Sequence, residues 1–590
     1  MSISVIKLFN KALSGNSVPF AEVNKLAVKV GYIVDPRCCT AEVLEFLKSL
    51  PVNINATFYK SWNDIISKNR FELFLDQIRH YASTYGTDFQ GEVWTPNEGS
   101  DQPDYTDFKV ITPITVEEVN TRCCNMLYTG IPLNENTLRM VLELITDVDV
   151  EKVKNKEAMM SLHKKFGTVP KDNVEFVRFL VFLATNKTLL IKDKTTLAAL
   201  KVANINLSEL VEAFGIEKLS EIFFRFKTIF LSLGKIKGNK VVVNRLRRLA
   251  NKYHKPMKVG FFENILGLSS LPVGLQERLK ECSNYKKVTL LQTILIRQKE
   301  LDMRFFGIRN GKLWAKEEKS KIRGYYDELY AHVYNSLIIS LSEKACEIKL
   351  PLEVKITLPT SEKSFIGNYP LGTSFNLSNT DSIVGIHWRG DEGARDIDMS
   401  LHSIDGRKYG WNADYTDDNK SVIYSGDMTF ANPEAVELFY GNKGMTPCIV
   451  KVNRFSGEDK AKFRLFLATE TITDMVKDYE IDPYNDKYKN YMVNPNNILF
   501  MIDCEMNAKE KSVAVITGDK FILAEIKTGN KIVSGSSITN KYTEYALSTL
   551  DCYLDLEKVL TDAGYTINSG NEPDIDLTKL SKDTLISLLA

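Results

Sequence analysis

The sequence predicts an α+β chain of several domains, in which a mainly α-helical N-terminal half is followed by an antiparallel β-sandwich. Three observations predict it. The chain has 590 residues, more than one hydrophobic core supports, so two to four domains are expected. Up to about residue 300, apolar residues recur at three- and four-residue spacing, the period of an amphipathic helix. Beyond Leu350 the pattern becomes short alternating runs between turn residues, as in antiparallel sheets packed face to face.

Residues 1–300 form the helical region, with room for two subdomains. Asn173–Thr185, Thr195–Phe214 and Glu221–Leu233 carry the helical period, with Asn204-Ile205-Asn206 and Gly215 as breaks and Ser220 as an N-cap for the third. Phe223, Phe224, Phe226 and Phe230 are expected to pack in a core. Residues 301–350 read as a hairpin and a connecting helix. Asn310-Gly311 stands between the apolar flanks Phe305–Ile308 and Leu313-Trp314, and a charged helix runs from about Lys316 to Glu347.

Residues 351–540 hold the sandwich. Its expected strands include Leu352–Leu358, Ser382–Trp388, Arg395–Ile404, Tyr409–Tyr415, Ser421–Ser425, Ala435–Tyr440, Pro447–Asn453 and Phe463–Ala468, continued by Asn497–Cys504, Ser512–Thr517 and Lys520–Lys527. Residues 541–590 read as a helix from Glu544 to Ala563 and a polar tail, loosely held from about Asn568. Residues 94–107 and 478–497 read as polar surface loops.

Composition narrows the function classes. Apolar residues make up 44% and charged residues 26%, as in ordinary soluble proteins. A net charge of +1 excludes a chain that binds polyanions over its whole surface, though not a local patch. The most apolar stretch, Phe176–Ala184, is too short to span a bilayer and is interrupted by Arg178, and the N-terminus lacks the apolar run of a signal peptide. Nine cysteines without a Cys-x-x-Cys pair point to reduced thiols in a cytoplasm.

The most informative segment is Arg395–Tyr440. In Arg395-Asp396-Ile397-Asp398-Met399-Ser400-Leu401-His402 the apolar residues face one way, while Asp396, Asp398, Ser400 and His402 face the other. Asn412 and Asp414 are expected to share one face of the next strand, and Ser425-Gly426-Asp427 supplies another acid at a turn. Gathered carboxylates repel unless a cation joins them, and hard cations such as calcium take six to eight oxygens. The expected ligands are therefore Asp396, Asp398 and Asp427, with Asn412 and Asp414 as additions; the twelve-residue EF-hand spacing is absent. The alternative reading is a solvated strand face with turn aspartates.

Trp388-Arg389-Gly390, Asp396-Ile397-Asp398-Met399-Ser400, Val422–Asp427 and Glu434-Ala435-Val436-Glu437-Leu438 together resemble the TerD family of tellurium-resistance and stress-response proteins. The resemblance covers roughly Leu350–Asn540 and implies a calcium-binding β-sandwich. It departs from the family at Met428–Pro433, where members typically carry a Gly-Asp-Asp-Glu-like run, and so looks like a divergent branch. Thr57–Trp62 and Asp76–Gly86 are similar to the helical region attached to such divergent domains. The implied role is non-enzymatic: interaction or stress response, in bacterial cytoplasm or, if phage-encoded, in a virion.

Elsewhere, Lys235–Lys258 contains nine Lys or Arg and no acid, and Arg245, Arg248 and Lys252 fall on one helical face able to bind phosphates. That face is equally readable as solvated surface. His80, His254, His387 and His402 read as ordinary packed or surface histidines, with His402 a candidate neighbour of the aspartates. Walker, G-x-G-x-x-G, G-x-S-x-G and H-E-x-x-H motifs are missing, so no enzyme is expected. Two further expectations compete with the calcium reading: a structural or assembly protein without an ion, self-associating or bound to other proteins, and a nucleic-acid-associated protein using the basic helix.

Overall fold

The computed structural model describes residues 2–51, 54, 68–75, 78, 105–188, 194–256, 261–268, 270–299, 305–309, 312–316, 325–377, 381–431, 433–458, 460–470, 493–506, 508–526, 545–568, 573–578 and 580–590. Thr57–Trp62, nearly all of Asp76–Gly86 with His80, residues 94–104 and 478–492, and the Asn310-Gly311 turn lie outside these residues. The architecture is α+β: helices dominate the N-terminal half and antiparallel sheets the C-terminal half.

The N-terminal unit contains an element absent from the expectation. Strands β1 (Lys11–Leu13), β2 (Tyr32–Val34) and β3 (Lys109–Ile114) form a parallel sheet in the order β1-β3-β2. Two of these strands have three residues, too few to show an alternating pattern. Helices Ser2–Phe9, Phe20–Lys29 and Ala41–Lys48 cover the sheet, and Val116–Thr129 follows behind a capping box of Thr115 and Glu118.

A second helical unit has its own core of Phe176, Leu180, Phe223, Phe230, Val243 and Leu246, among others. Asn173–Thr185 is helical as expected and is buried through its middle, from Phe176 to Phe182 except at Arg178, with Asp172 as its N-cap. Helices Lys194–Val202 and Leu207–Phe214 are separated at the expected Asn-Ile-Asn break. The expected helix Glu221–Leu233 is shorter. Ser220 closes the helix Ile216–Ser220 instead of capping a new one, residues 221–226 form turns, and the next helix is Lys227–Leu233. Aromatic residues are weak helix formers, and here tertiary packing fixes their backbone. Phe223, Phe226 and Phe230 are buried, and Phe223 stacks on Phe230.

Strands β4 (Phe305–Arg309) and β5 (Lys312–Lys316) pair as the expected hairpin, with Arg309 opposite Lys312. The following helix is described over Tyr325–Ser342; Lys316, expected in it, belongs to β5, and four residues lead from Ser342 into β6 (Glu347–Lys349).

The sandwich strands are β7 (Val354–Lys355), β8 (Phe365–Ile366), β9 (Tyr369–Pro370), β10 (Ser374–Asn376), β11 (Asp381–Arg389), β12 (Ala394–Ser403), β13 (Lys408–Gly410), β14 (Val422–Tyr424), β15 (Glu434–Gly441), β16 (Cys448–Gly457), β17 (Ala461–Glu470), β18 (Ile498–Met506), β19 (Glu510–Ile516) and β20 (Lys520–Leu523). One sheet runs β13-β12-β16-β19-β20-β10-β7, and the other β14-β15-β11-β17-β18. Inward residues of both, such as Met399, Val450 and Phe521 against Trp388, Phe439 and Leu465, make one core. The outer face of the five-stranded sheet is buried too, by Ile383, Val436, Leu438 and Tyr440 packed with Ile54 and Leu73. This explains why β11 and β15 read as nearly continuous apolar runs.

Helix Leu556–Asp562 and strands β21 (Thr566–Ile567) and β22 (Ile575–Asp576) follow, with both strands parallel to β6. The described residues after Asn568 are packed rather than loosely held. Helix Lys582–Leu588 buries Leu585 and Leu588 in one core and Ile586 in the core of the N-terminal unit. Its polar residues look like surface because nothing in the sequence shows their partners: buried Asp583 pairs with Arg122 at 2.7 Å and Lys582 with buried Glu362 at 3.0 Å. The N-terminal unit also joins the sandwich directly. Arg389 and Arg464 donate to the carbonyls of Lys48 and Ser49, where a helix ends with unsatisfied acceptors.

Candidate metal centre

Strand β12 supplies two of the acids. Ile397, Met399 and Leu401 enter the core, which turns Asp396 and Asp398 to the other face, yet both aspartates are buried, at 4% and 3% exposure. The pairing of β12 with β16 is irregular on both sides of Asp396. Such a bulge re-aims a side chain without breaking the strand. Asp427 comes from the chain beyond β14, after Gly426 at φ +103°, a conformation glycine adopts without strain. Asp396, Asp398 and Asp427 bring carboxylate oxygens within 4.8 Å of one another. They are the only such His, Cys, Asp or Glu cluster among the described residues.

A fourth carboxylate stands behind them. Glu437 on β15 faces inward, where Ala435 and Phe439 are core residues, and is fully buried. Strand β13 pairs only with Ser400–His402 of β12, and the amide of Met399 donates instead to Glu437 at 2.8 Å. The Met428 amide donates to its other oxygen at 2.9 Å. These amides belong to the residues directly after Asp398 and Asp427, so Glu437 fixes both points of the backbone that present acids. Sequence reasoning did not assign Glu437 to the site. Its signal was there: a lone carboxylate in the apolar run Ala435–Tyr440.

The electrostatics are those of crowded negative charge. Burial first, then the charges of Asp398 and Asp427, push the Asp396 carboxyl up to about 8. Burial, then the charge of Asp427, push Asp398 up to about 7, against a hydrogen bond from Asn453 Nδ2 at 3.1 Å. Glu437 is raised well above the ordinary carboxyl range by burial and by Asp398 and Asp427. Asp396 Oδ1 is buried without a hydrogen-bond partner, as is the Tyr424 hydroxyl, whose proton is held by burial and by the charges of Glu437 and Asp427.

A carboxyl whose folded pKa lies above its unfolded value stabilises the fold below the unfolded pKa, and that contribution is lost as pH rises through the folded pKa. The chelated protein is therefore expected to lose stability between pH values near 4 and the folded values of about 7 and 8. A bound divalent cation should remove that loss, because it takes the place of the protons. Thermal melts over this range, with chelator and with calcium, check it; parallel curves would contradict it.

The two additional ligands expected from sequence are elsewhere. The expected strand Tyr409–Tyr415 ends at Gly410, and the chain turns back so that the Gly410 amide donates to the Asp414 carbonyl at 3.1 Å. Without a shared strand face, the Asp414 carboxylate pairs with Arg70 and Asn412 Oδ1 accepts from Lys408 Nζ. His402 lies along β12 with Nε2 3.2 Å from Ser400 Oγ; burial, then the charges of Lys451 and Lys408, push its pKa down to about 3. His387 is buried against Glu434 at 3.1 Å, and His254 sets its ring edge-on to Phe224. Arg245, Arg248 and Lys252 are exposed on the helix Lys240–Tyr253.

Oxygen is the only donor type in the trio, as hard cations such as calcium and magnesium require. Two oxygens on one calcium ion lie at most about 5 Å apart, twice a bond of roughly 2.3–2.6 Å, and the cluster meets that limit. The buried, unpartnered oxygen of Asp396 is a further mark of fit. No known family, curated protein or solved structure matches the chain. The TerD resemblance therefore rests on its motif residues.

Proposed function

We propose that the C-terminal sandwich is a TerD-like, divalent-cation-binding interaction module without catalytic activity, and that calcium is its ion. Asp396, Asp398 and Asp427 hold the ion, and Glu437 fixes the backbone beside two of them. The observation that carries this reading is the convergence of three carboxylates around a buried oxygen with no partner of its own. The ion supplies charge neutralisation and a cross-link. Asp396 and Asp398 belong to β12 of the seven-stranded sheet, whereas Asp427 continues from β14 of the other sheet. Binding thus joins the two sheets at one end of the sandwich and stiffens the surface there for a partner.

Calorimetric titration of the chelated full chain with calcium, and separately with magnesium, tests the proposal. One saturable calcium site per chain, lost in Asp396→Asn, is expected. Absence of calcium-dependent heat together with an unchanged melting temperature would sink the reading and leave the sandwich as a scaffold.

A further inference from the structure

We propose that the second helical unit binds the phosphodiester backbone of nucleic acid through the exposed face of the helix Lys240–Tyr253. The inference stands apart from the metal centre and rests on a different part of the chain. Residues 169–256 contain 17 Lys or Arg against 7 Asp or Glu, a net charge of +10 in a chain whose total is +1. The excess is therefore local and is balanced by acidic surface elsewhere.

The helix concentrates that charge. Val243, Leu246 and Ala250 are buried in the unit's own core, which fixes the helix's rotation. The opposite arc carries Arg245, Arg248 and Lys252, with Lys240 and Arg247 at its margin nearer the buried side, all exposed. Exposed Asn244 and Asn251 lie between them, and no carboxylate occurs on the helix. Arg245 and Arg248 are three residues apart, and Arg248 and Lys252 four, so like charges are neighbours on this face and repel. A face that is merely solvated usually mixes signs. Among the described residues, Lys240, Arg245, Arg247 and Arg248 make no ion pair. The helix is also held in place. Buried Asn239, just before it, donates to the Ile205 carbonyl at 2.9 Å and accepts from the Leu207 amide at 3.0 Å.

The face favours nucleic acid over other anionic partners. A protein interface is anchored by large aromatic or aliphatic residues, and the one exposed apolar residue of this helix is the small Val241. A membrane-surface helix needs a free apolar face, but this helix spends its apolar face on the core. Fourteen helical residues extend about 21 Å, and Arg245, Arg248 and Lys252 follow one line along it that can track successive phosphates, to which the asparagines add hydrogen-bond donors.

Fluorescence anisotropy of the full chain with labelled duplexes of about 20 base pairs, DNA and RNA in separate arms, tests the inference. If about four phosphates are engaged, affinity should fall roughly a hundredfold between about 50 and 200 mM salt. Chelator should leave binding unchanged. The triple variant Arg245→Glu, Arg248→Glu, Lys252→Glu should lose at least about tenfold in affinity, since each contact removed takes an electrostatic increment with it. If that variant fails to fold, Lys240→Gln with Arg247→Gln serves in its place and should flatten the salt dependence. No retention of either duplex at low salt, undiminished binding by the variants, or equal competition by polyglutamate at matched charge would overturn the proposal.

Discussion

Asp398→Asn is expected to abolish a calcium-dependent rise in melting temperature. With calcium at a hundred times its dissociation constant, the unaltered sandwich should gain about 2.7 kcal/mol, or roughly 5–10 °C for a domain of this size. The substitution keeps the side chain's shape and its contact with Asn453, but removes a charge from the centre of the acidic trio. In chelator the variant should melt no lower than the unaltered protein, and at pH 8 it should melt higher, because one of the mutually repelling charges is gone. Asp414→Asn is the control. Its carboxylate pairs with Arg70, so the calcium shift should survive. A shift lost in Asp414→Asn and kept in Asp398→Asn would mean that the ion sits elsewhere.

Glu362→Ala should cost about 3–5 kcal/mol of stability by breaking a buried ion pair on one side. Glu362 has no exposed side-chain surface, and its carboxylate accepts from the Asn134 amide and side chain, from the Thr137 hydroxyl at 2.9 Å and from Lys582 at 3.0 Å. It thereby ties the N-terminal unit and the last helix to the segment leading into the sandwich. Removing it leaves Lys582, at 17% exposure, without its carboxylate and takes an acceptor from the N-terminus of helix Glu135–Leu144. Denaturant unfolding followed by circular dichroism reads the loss. Adding Lys582→Met should restore part of it, since the stranded charge is then gone. A cost below about 1 kcal/mol, the level of exposed pairs, would show that the tie is weak.

How far the sequence discloses this molecule depends on the length of each signal. Strand β12 was legible almost to the residue, because the alternating run Arg395–His402 places Ile397, Met399 and Leu401 against Asp396 and Asp398. Helix Asn173–Thr185 was legible from a long run of three- and four-residue apolar spacing, while its cap at Asp172 emerged only from the structure. The parallel strands β1 and β2 were not, since three residues carry no period. At the site, Asp427 was found through its glycine turn. Glu437 was passed over because a wholly buried strand hides which of its residues face inward. Asn412 and Asp414 were expected beside the trio because alternation appeared to continue past Gly410, where the backbone adopts φ +142° and turns. The tail after Asn568 looked polar, and only the tertiary structure shows Lys582 and Asp583 satisfied by Glu362 and Arg122.

The sharing of one core by Val5, Leu8, Phe9 and Ile586 has a consequence for how the protein is made. A ribosome adding about 5–20 residues per second needs roughly half a minute to two minutes to travel from the first of these side chains to the last. Throughout that interval the opening helix has emerged and its final packing partner has not been synthesised. The nascent chain must carry an unfinished apolar surface until Ile586 has been added, which makes this early segment the natural place for a chaperone to wait.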